Sequence, residues 1–423
     1  MALPDKIGGS NLFRAFRSRN YTLYFVGRAV SQFGTWMQRT AVIWLVYSIT
    51  RSAFLLGLTV FAEQFPSFLF SLFGGIAADR YNQYRIVKIT QVASMLQSVM
   101  LAFLVYTHHA AIWAILALSV LLGIINAFDV PARQTLVHEV VTDKLDLANA
   151  ISLTTATACL AQLLGPPAAG LVYKAFGPAD CFLINGISFA GVLVSVLLMK
   201  LPAYRPGPTE KKIWKEFAEG FGYLRRTPAI GYTILLLAVI SLIVLPYNTV
   251  LPIFAKLVFH GDAATFGYIQ SFVGIGAIAG TIYLASRKPG AHLRRILFYC
   301  TIILCAGLVC FALIRNFPLA MLFAALTGFG AIAQFTVCNI IVQSESAPQM
   351  RGRAIGILLM AVFGMTPLGS LLVGAVSERI GAPYAVLGEG AIGLIVILAF
   401  TKFLTSRKTA SAAHTQAGQA EPG

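Results

Sequence analysis

Arg39 and Glu63 each stand inside a long apolar stretch, and each lies twelve residues from Arg51, which separates the two stretches. If the stretches are antiparallel helices that turn near Arg51, the two side chains lie level and can form an ion pair. Apolar surroundings disfavour an ionised carboxyl, whereas a facing guanidinium favours it. A pair of this kind can take up a proton when it separates and release it when it closes again. The other role open to it is that of a static ion pair. Arg28, Gln32, Trp36 and Gln38 share the stretch of Arg39 and offer hydrogen bonds and a ring face to a small molecule. Tyr247 and Phe335 are the matching aromatic candidates in the second half. Glu389, early in the last apolar stretch, has no evident partner and is a second candidate proton carrier beside Glu63 and Arg39. Asp129 ends the fourth stretch within reach of Arg28, with Arg133 one helical turn further on.

The elements that position these residues follow from composition. Of 423 residues, 57% are hydrophobic and only 11% are charged, against about 25% charged in a typical soluble domain. The apolar runs are each near the roughly 20 residues that cross a bilayer as a helix. They are continuous and too long for the alternating strands of a membrane barrel. The fold class is therefore an all-α polytopic membrane protein. Twelve spans are expected, at about 21–49, 54–77, 86–106, 111–131, 149–174, 180–200, 229–255, 264–286, 294–314, 318–343, 353–377 and 383–404. The seventh is interrupted near Pro246 and Pro252.

The net charge of +16 falls in the gaps between runs, which argues against a nucleic-acid partner. Most basic residues lie in the loops on the side of the termini. The opposite side carries Arg51, Lys174, Lys256, Arg315 and Arg379. Basic loops favour the cytoplasm, so both termini are expected there, with the chain in the plasma (inner) membrane. Residues 1–20 are a cytoplasmic segment without the short apolar core of a cleaved signal. Residues 405–423 read as a disordered tail. Six cysteines lie inside apolar runs without Cys-x-x-Cys spacing, and the histidines are scattered. No metal site and no cofactor are expected.

The halves resemble each other. Gly170, Gly177 and Pro178 before the sixth span have counterparts in Gly374, Gly381 and Pro383 before the twelfth. Residues 201–228 separate the halves and carry Ile213, Trp214, Phe217, Phe221 and Leu224 near one helical face, the pattern of a helix lying on the inner leaflet. The expected organisation is an N-lobe at 21–200, a cytoplasmic amphipathic linker at 201–228 and a C-lobe at 229–404. These are two six-helix lobes related by pseudo-two-fold symmetry, the layout of two-lobed secondary transporters.

"GGIAADRYNQYR" resembles the loop signature between spans two and three of the major facilitator superfamily, with Gly75, Asp79, Arg80 and Arg85 matching. The resemblance implies an inner gate in which Asp79 faces the start of span eleven, near Arg353, with Asp129 and Arg133 beside it. Gly75 would let a neighbouring helix approach closely. "LLGPPAAG" resembles the Gly-Pro motif of span five in exporters, so Gly165, Pro166 and Gly170 form a helix-bend motif. "RSRNYTLYFVGRAVSQFGTWMQR", "NAFDVPARQTLVHEVV", "LANAISL" and "RGRAIGI" are similar to the branch containing the enterobactin exporter and the macrolide efflux pumps. That likeness implies export of a bulky small molecule, such as a siderophore, drug or related metabolite, in exchange for protons by alternating access. The expected partners are the substrate, protons and the lipid bilayer, and the chain is expected to be a monomer. No phosphate-cradling loop and no cluster of acids and histidines suggests an ATP-driven pump or an enzyme. The rival readings are a non-transporting membrane scaffold and a uniporter or importer of the same fold.

Overall fold

A computed structural model of the chain describes residues 11–141, 146–199, 213–287 and 292–405, without the side chains of residues 11–13, Asp79, His138, 213–218 and 401–405. The expectations for residues 1–10, for the linker up to residue 212 and for the tail beyond 405 lie outside the described residues, as does the side chain of Asp79. No strand occurs among the described residues.

The membrane helices of the first half are α1 (Arg19–Thr50), α2 (Ala53–Arg80), α3 (Gln83–Tyr106), α4 (Ile112–Val140), α5 (Leu147–Phe176) and α6 (Pro178–Leu197). The linker forms α7 (Ile213–Arg226). The second half begins with α8 (Pro228–Ile243), a 3-10 segment (Leu245–Val250), the short α9 (Leu251–Ile253) and a π-helical turn (Phe254–Val258). The interruption follows Pro246 and Pro252, which lack the N–H an α-helix needs. Then come α10 (Ala263–Ala285), α11 (Leu293–Leu313), α12 (Phe317–Glu345), α13 (Arg351–Ile380) and α14 (Ala382–Thr405). Eleven of the described helical segments are long and apolar enough to cross a membrane. The twelfth, α1, has the length at 32 residues but carries Arg28, Arg39, Gln32 and Gln38.

Local chemistry sets the helix ends. Ser18, Ser52, Asn82 and Asn316 accept N-terminal amides of α1, α2, α3 and α12, satisfying donors that the helix itself leaves free. The repeat glycines act at matching places. Gly177 and Gly381 turn the chain with φ of 99° and 89°, a region that favours glycine. One helical stretch earlier, Gly170 lies against the backbone of Ala263 and Ala264, and Gly374 against Ala53 and Gly57.

The chain forms two compact units. The first comprises Met1–Lys211, Thr249–Gly274 and Ser370–Arg379. In it α1 packs on α5 and α6, α2 on α4, and α3 on α4 and α6. Thr249–Gly274 rests on the Gly-Pro segment of α5: Gly267 meets Pro166, and Gly274 meets Leu163. Pro167 has no N–H to give the Leu163 carbonyl, and Ser271 Oγ donates to that carbonyl at 3.4 Å while also donating to Gly267 at 2.9 Å. A residue of the second segment thus helps satisfy a carbonyl freed in the first. α5 runs without a break through Pro166 and Pro167. At one end of this unit Glu378 Oε2 accepts from Ala53 N–H (2.6 Å), Phe54 N–H (3.2 Å) and Ser52 Oγ (3.1 Å), closing the N-terminus of α2. Lys174 and Asp262 pair at 2.8 Å.

The second unit comprises Lys212–Asn248, Ile275–Gly369 and Ile380–Gly423. Its core is α11 packed on α12 and α14. The linker helix is docked on this unit. Gly220 meets Ile357, Tyr223 Oη accepts from Ala347 N–H at 3.0 Å, and Leu224 is buried. The expected helix is present, with Phe221 of its apolar face exposed and Leu224 buried, and a short loop from Arg226 to Pro228 leads into α8.

Candidate functional site

A polar cavity of about 60 Å³ lies among α1, α2, α3, α4 and α6 of the first unit. Helical spacing builds it. Arg28, Gln32, Thr35 and Arg39 recur every three or four residues along α1, and Ser119, Leu122, Asn126, Asp129 and Arg133 do the same along α4, so each set shares one face. Small residues let the helices close up: Gly123 of α4 lies against the Glu63 carbonyl, and Gly34 of α1 against Asn185 and Ser188.

Two ion pairs face the cavity. Arg39 Nε lies 3.6 Å from Glu63 Oε1, and both side chains are partly accessible. The Arg39 guanidinium also stands over the Trp36 ring, 5.6 Å from its centroid, a cation–π arrangement. Trp36 itself packs into the space left by Gly165 and is not among the cavity-lining residues. The second pair, Asp129 with Arg133, is buried. Asp129 also accepts from Thr90 Oγ1 (2.7 Å) and Gln91 Nε2 (3.0 Å). Arg28 shares the cavity and the electrostatic field of Asp129 but makes no ion pair or hydrogen bond among the described residues.

Gln38 has a different part from the one its sequence suggests. Its amide donates to Gln97 and accepts from Ser98 and Asn185, and Ser98 also donates to the Phe182 carbonyl. Only 2% of Gln38 is exposed. It ties α1 to α3 and α6, and both ends of its amide are occupied, so it is a packing residue with little left for a ligand. Sequence reading missed Thr90, Gln91, Ser94, Gln97, Asn126 and Asn185. The signal available was the polar spacing along α3, at residues 90, 94 and 97.

The expected gate residues fall in both units, with Gly75, Arg80, Arg85, Asp129 and Arg133 in the first and Arg353 in the second. Gly75 has open space where a side chain would stand, and the close approach is made by Gly74, which lies against Ala127 of α4. This corrects the expected role of Gly75: one residue along a helix turns the face by about 100°, and the approach falls on the neighbour. Arg80 and Arg85 are exposed. Arg353 pairs with Glu219 of the linker helix at 2.7 Å. In the second unit Glu389 is 8% exposed, with Oε2 lacking a hydrogen-bond partner among the described residues. Tyr247, Gln334 and Ser241 of the same unit are buried as well, and both ends of the Gln334 amide and the Ser241 hydroxyl lack hydrogen-bond partners among the described residues. Phe335 is half-buried.

The family of transmembrane secretion effectors, MFS_3, matches residues 10–422. The chain belongs to this major facilitator family. Among its relatives, the staphyloferrin A transporter of Staphylococcus aureus is 25% identical over 394 residues, covering 90% of this chain and 96% of the relative. The multidrug efflux pump Tap of Mycolicibacterium fortuitum is 23% identical over 352 residues, 80% of this chain and 84% of the pump. The enterobactin exporter EntS of Shigella boydii is 22% identical over 377 residues, 88% of each. The fold matches a crystal structure of a bacterial homolog of the human lysosomal transporter Spinster in an inward-facing, unoccupied conformation. That match has a TM-score of 0.65 at 14% identity and covers 96% of this chain and 99% of the other. A crystal structure of the nucleoside transporter NupG matches with a TM-score of 0.68 at 15% identity, covering 94% of this chain and all of NupG. The chain is thus a multi-pass membrane transporter for a small molecule and not an enzyme.

Proposed function

We propose that this chain is a proton-coupled exporter of a bulky small molecule, working by alternating access in the inner membrane as a monomer with both termini in the cytoplasm. The observation that carries the reading is the Arg39–Glu63 pair at the wall of a polar cavity inside a membrane bundle. Charges within membrane helices are costly and mark ion or substrate pathways. The two side chains stand 3.6 Å apart, and their partial exposure leaves the pair open to water. Separation and closure of this pair as the helices move is the proposed coupling step. The relatives include an enterobactin exporter and a multidrug efflux pump, which supports outward movement of a small molecule.

The test uses cells preloaded with a panel of acidic, neutral and basic fluorescent molecules. Expression of the chain should lower retention of at least one of them. An uncoupler, with ATP held constant, should restore that retention. Retention that follows only ATP depletion would overturn secondary transport, and movement down the substrate gradient without any proton effect would indicate a uniporter.

A further inference from the structure

We propose that the cavity of the first unit binds the anionic head group of the transported molecule, with Arg28 as its counter-ion, so that the substrate is an acid. This names a substrate class for the transporter read above and rests on that reading.

The argument begins with charge. The cavity is lined by three guanidiniums, Arg28, Arg39 and Arg133, and by two carboxylates, Glu63 and Asp129. Each acid already has its own arginine. Asp129 is further saturated, since Thr90 and Gln91 share one oxygen and Arg133 takes the other. Arg28 is left over. An unmatched guanidinium in a membrane bundle is costly unless it is hydrated or paired, and an arriving anion removes that cost.

The walls supply matching donors. Gln32, one turn from Arg28, and Asn126, one turn from Asp129, line the same cavity, and neither side chain makes a hydrogen bond among the described residues. Of the other polar groups of the wall, the Ser94 hydroxyl makes no hydrogen bond among the described residues, and the rest are committed elsewhere. Thr35 donates to Ser31, Ser119 to Ile115, and Gln38 and Asn185 to the network across α1, α3 and α6. The free set is therefore one guanidinium fork, two amides and the Ser94 hydroxyl, a donor-rich group suited to a planar oxyanion. Size agrees with this. About 60 Å³ accommodates a carboxylate or a few waters, not a whole bulky molecule, so the cavity reads one head group and the rest of the substrate lies outside it.

The test is ligand-dependent thermal stabilisation of the purified full-length protein in neutral detergent at pH 7.5, with 2-naphthoate and its uncharged counterpart 2-naphthamide as probes. A ligand bound to the folded state raises the unfolding temperature in a saturable way. Naphthoate should stabilise the wild type with at least tenfold higher apparent affinity than naphthamide. Arg28→Gln should weaken naphthoate at least tenfold and leave naphthamide unchanged, and Arg28→Lys should retain part of the preference. Equal stabilisation by the two probes, no stabilisation by naphthoate, or wild-type behaviour of Arg28→Gln would overturn the proposal and assign the cavity to water. The comparison of probes on the wild type does not depend on how the variants fold. The assay contains no gradient, so its failure leaves proton-coupled export standing, and loss of uncoupler sensitivity in cells leaves the anion site standing.

Discussion

Around the cavity of the first unit Glu63 faces Arg39 and Asp129 faces Arg133, whereas in the second unit Glu389 is buried with no cation against it among the described residues. A carboxyl beside a movable cation has two attainable states, paired and charged or separated and neutral. A buried carboxyl with no cation beside it has no such alternative, because charging it without a partner costs several kcal/mol. The proposed exchange of charge lies in the first unit, where carboxylates face cations. The second unit buries Tyr247, Gln334, Ser241 and Glu389.

The contrast is broken most directly at Glu63. Glu63→Gln should lower proton-driven export in proteoliposomes by about 100-fold, the order of a lost proton-transfer group, while substrate–substrate exchange continues. Export at the wild-type rate would move the carrier elsewhere, with Glu389 next to be tested. Arg133→Ala leaves Asp129 buried without its partner and should cost about 3 kcal/mol of stability, read as a lower unfolding temperature. Asp129→Asn placed on top should recover part of the loss. Asn185→Ala removes one of the donors to Gln38 and should cost about 1–2 kcal/mol with little change in the pH profile of export. Glu389→Gln should change stability by less than about 1 kcal/mol and leave proton-driven export intact. A collapse of export in that variant would reverse the contrast.

The smallest effect is expected at Lys174 and Asp262, outside the cavity. The hydrogen bond from Lys174 chiefly holds the Asp262 carboxyl below its ordinary range. A depressed carboxyl contributes stability that is present above its unfolded pKa, about 4, and is lost as pH falls through the lower folded value. Both groups are largely exposed, so Lys174→Ala should lower the unfolding temperature only slightly at pH 7, with the difference fading in high salt and below pH 4.

Helix number, the broken seventh span and the repeat glycines were legible because each rests on local chemistry, namely apolar length, proline and positive φ. The level placement of Arg39 and Glu63 was legible too, because a turn at Arg51 fixes equal rises on two antiparallel helices. Gln38 was not, since its amide finds partners on α3 and α6 that no local pattern announces. Gly75 and Gly74 differ by a single helical step, and only the packed neighbour decides which is pressed. Arg353 carries a motif-like context, yet its carboxylate partner comes from the linker helix. Glu378 drew no notice because its partners are backbone amides, which leave no mark in the sequence.

That last contact sets an order of assembly. The 325 residues between Ala53 and Glu378 take about 16–65 s to synthesise at about 5–20 residues per second. Throughout that interval α2 is already made, but its leading amides have only Ser52 and water. The first unit also waits for Thr249–Gly274 and Ser370–Arg379, so the half made first is completed by pieces of the half made last. A chain stopped after α6 would lack Thr249–Gly274 and Ser370–Arg379, the segments that pack against α5 and α2 in the first unit.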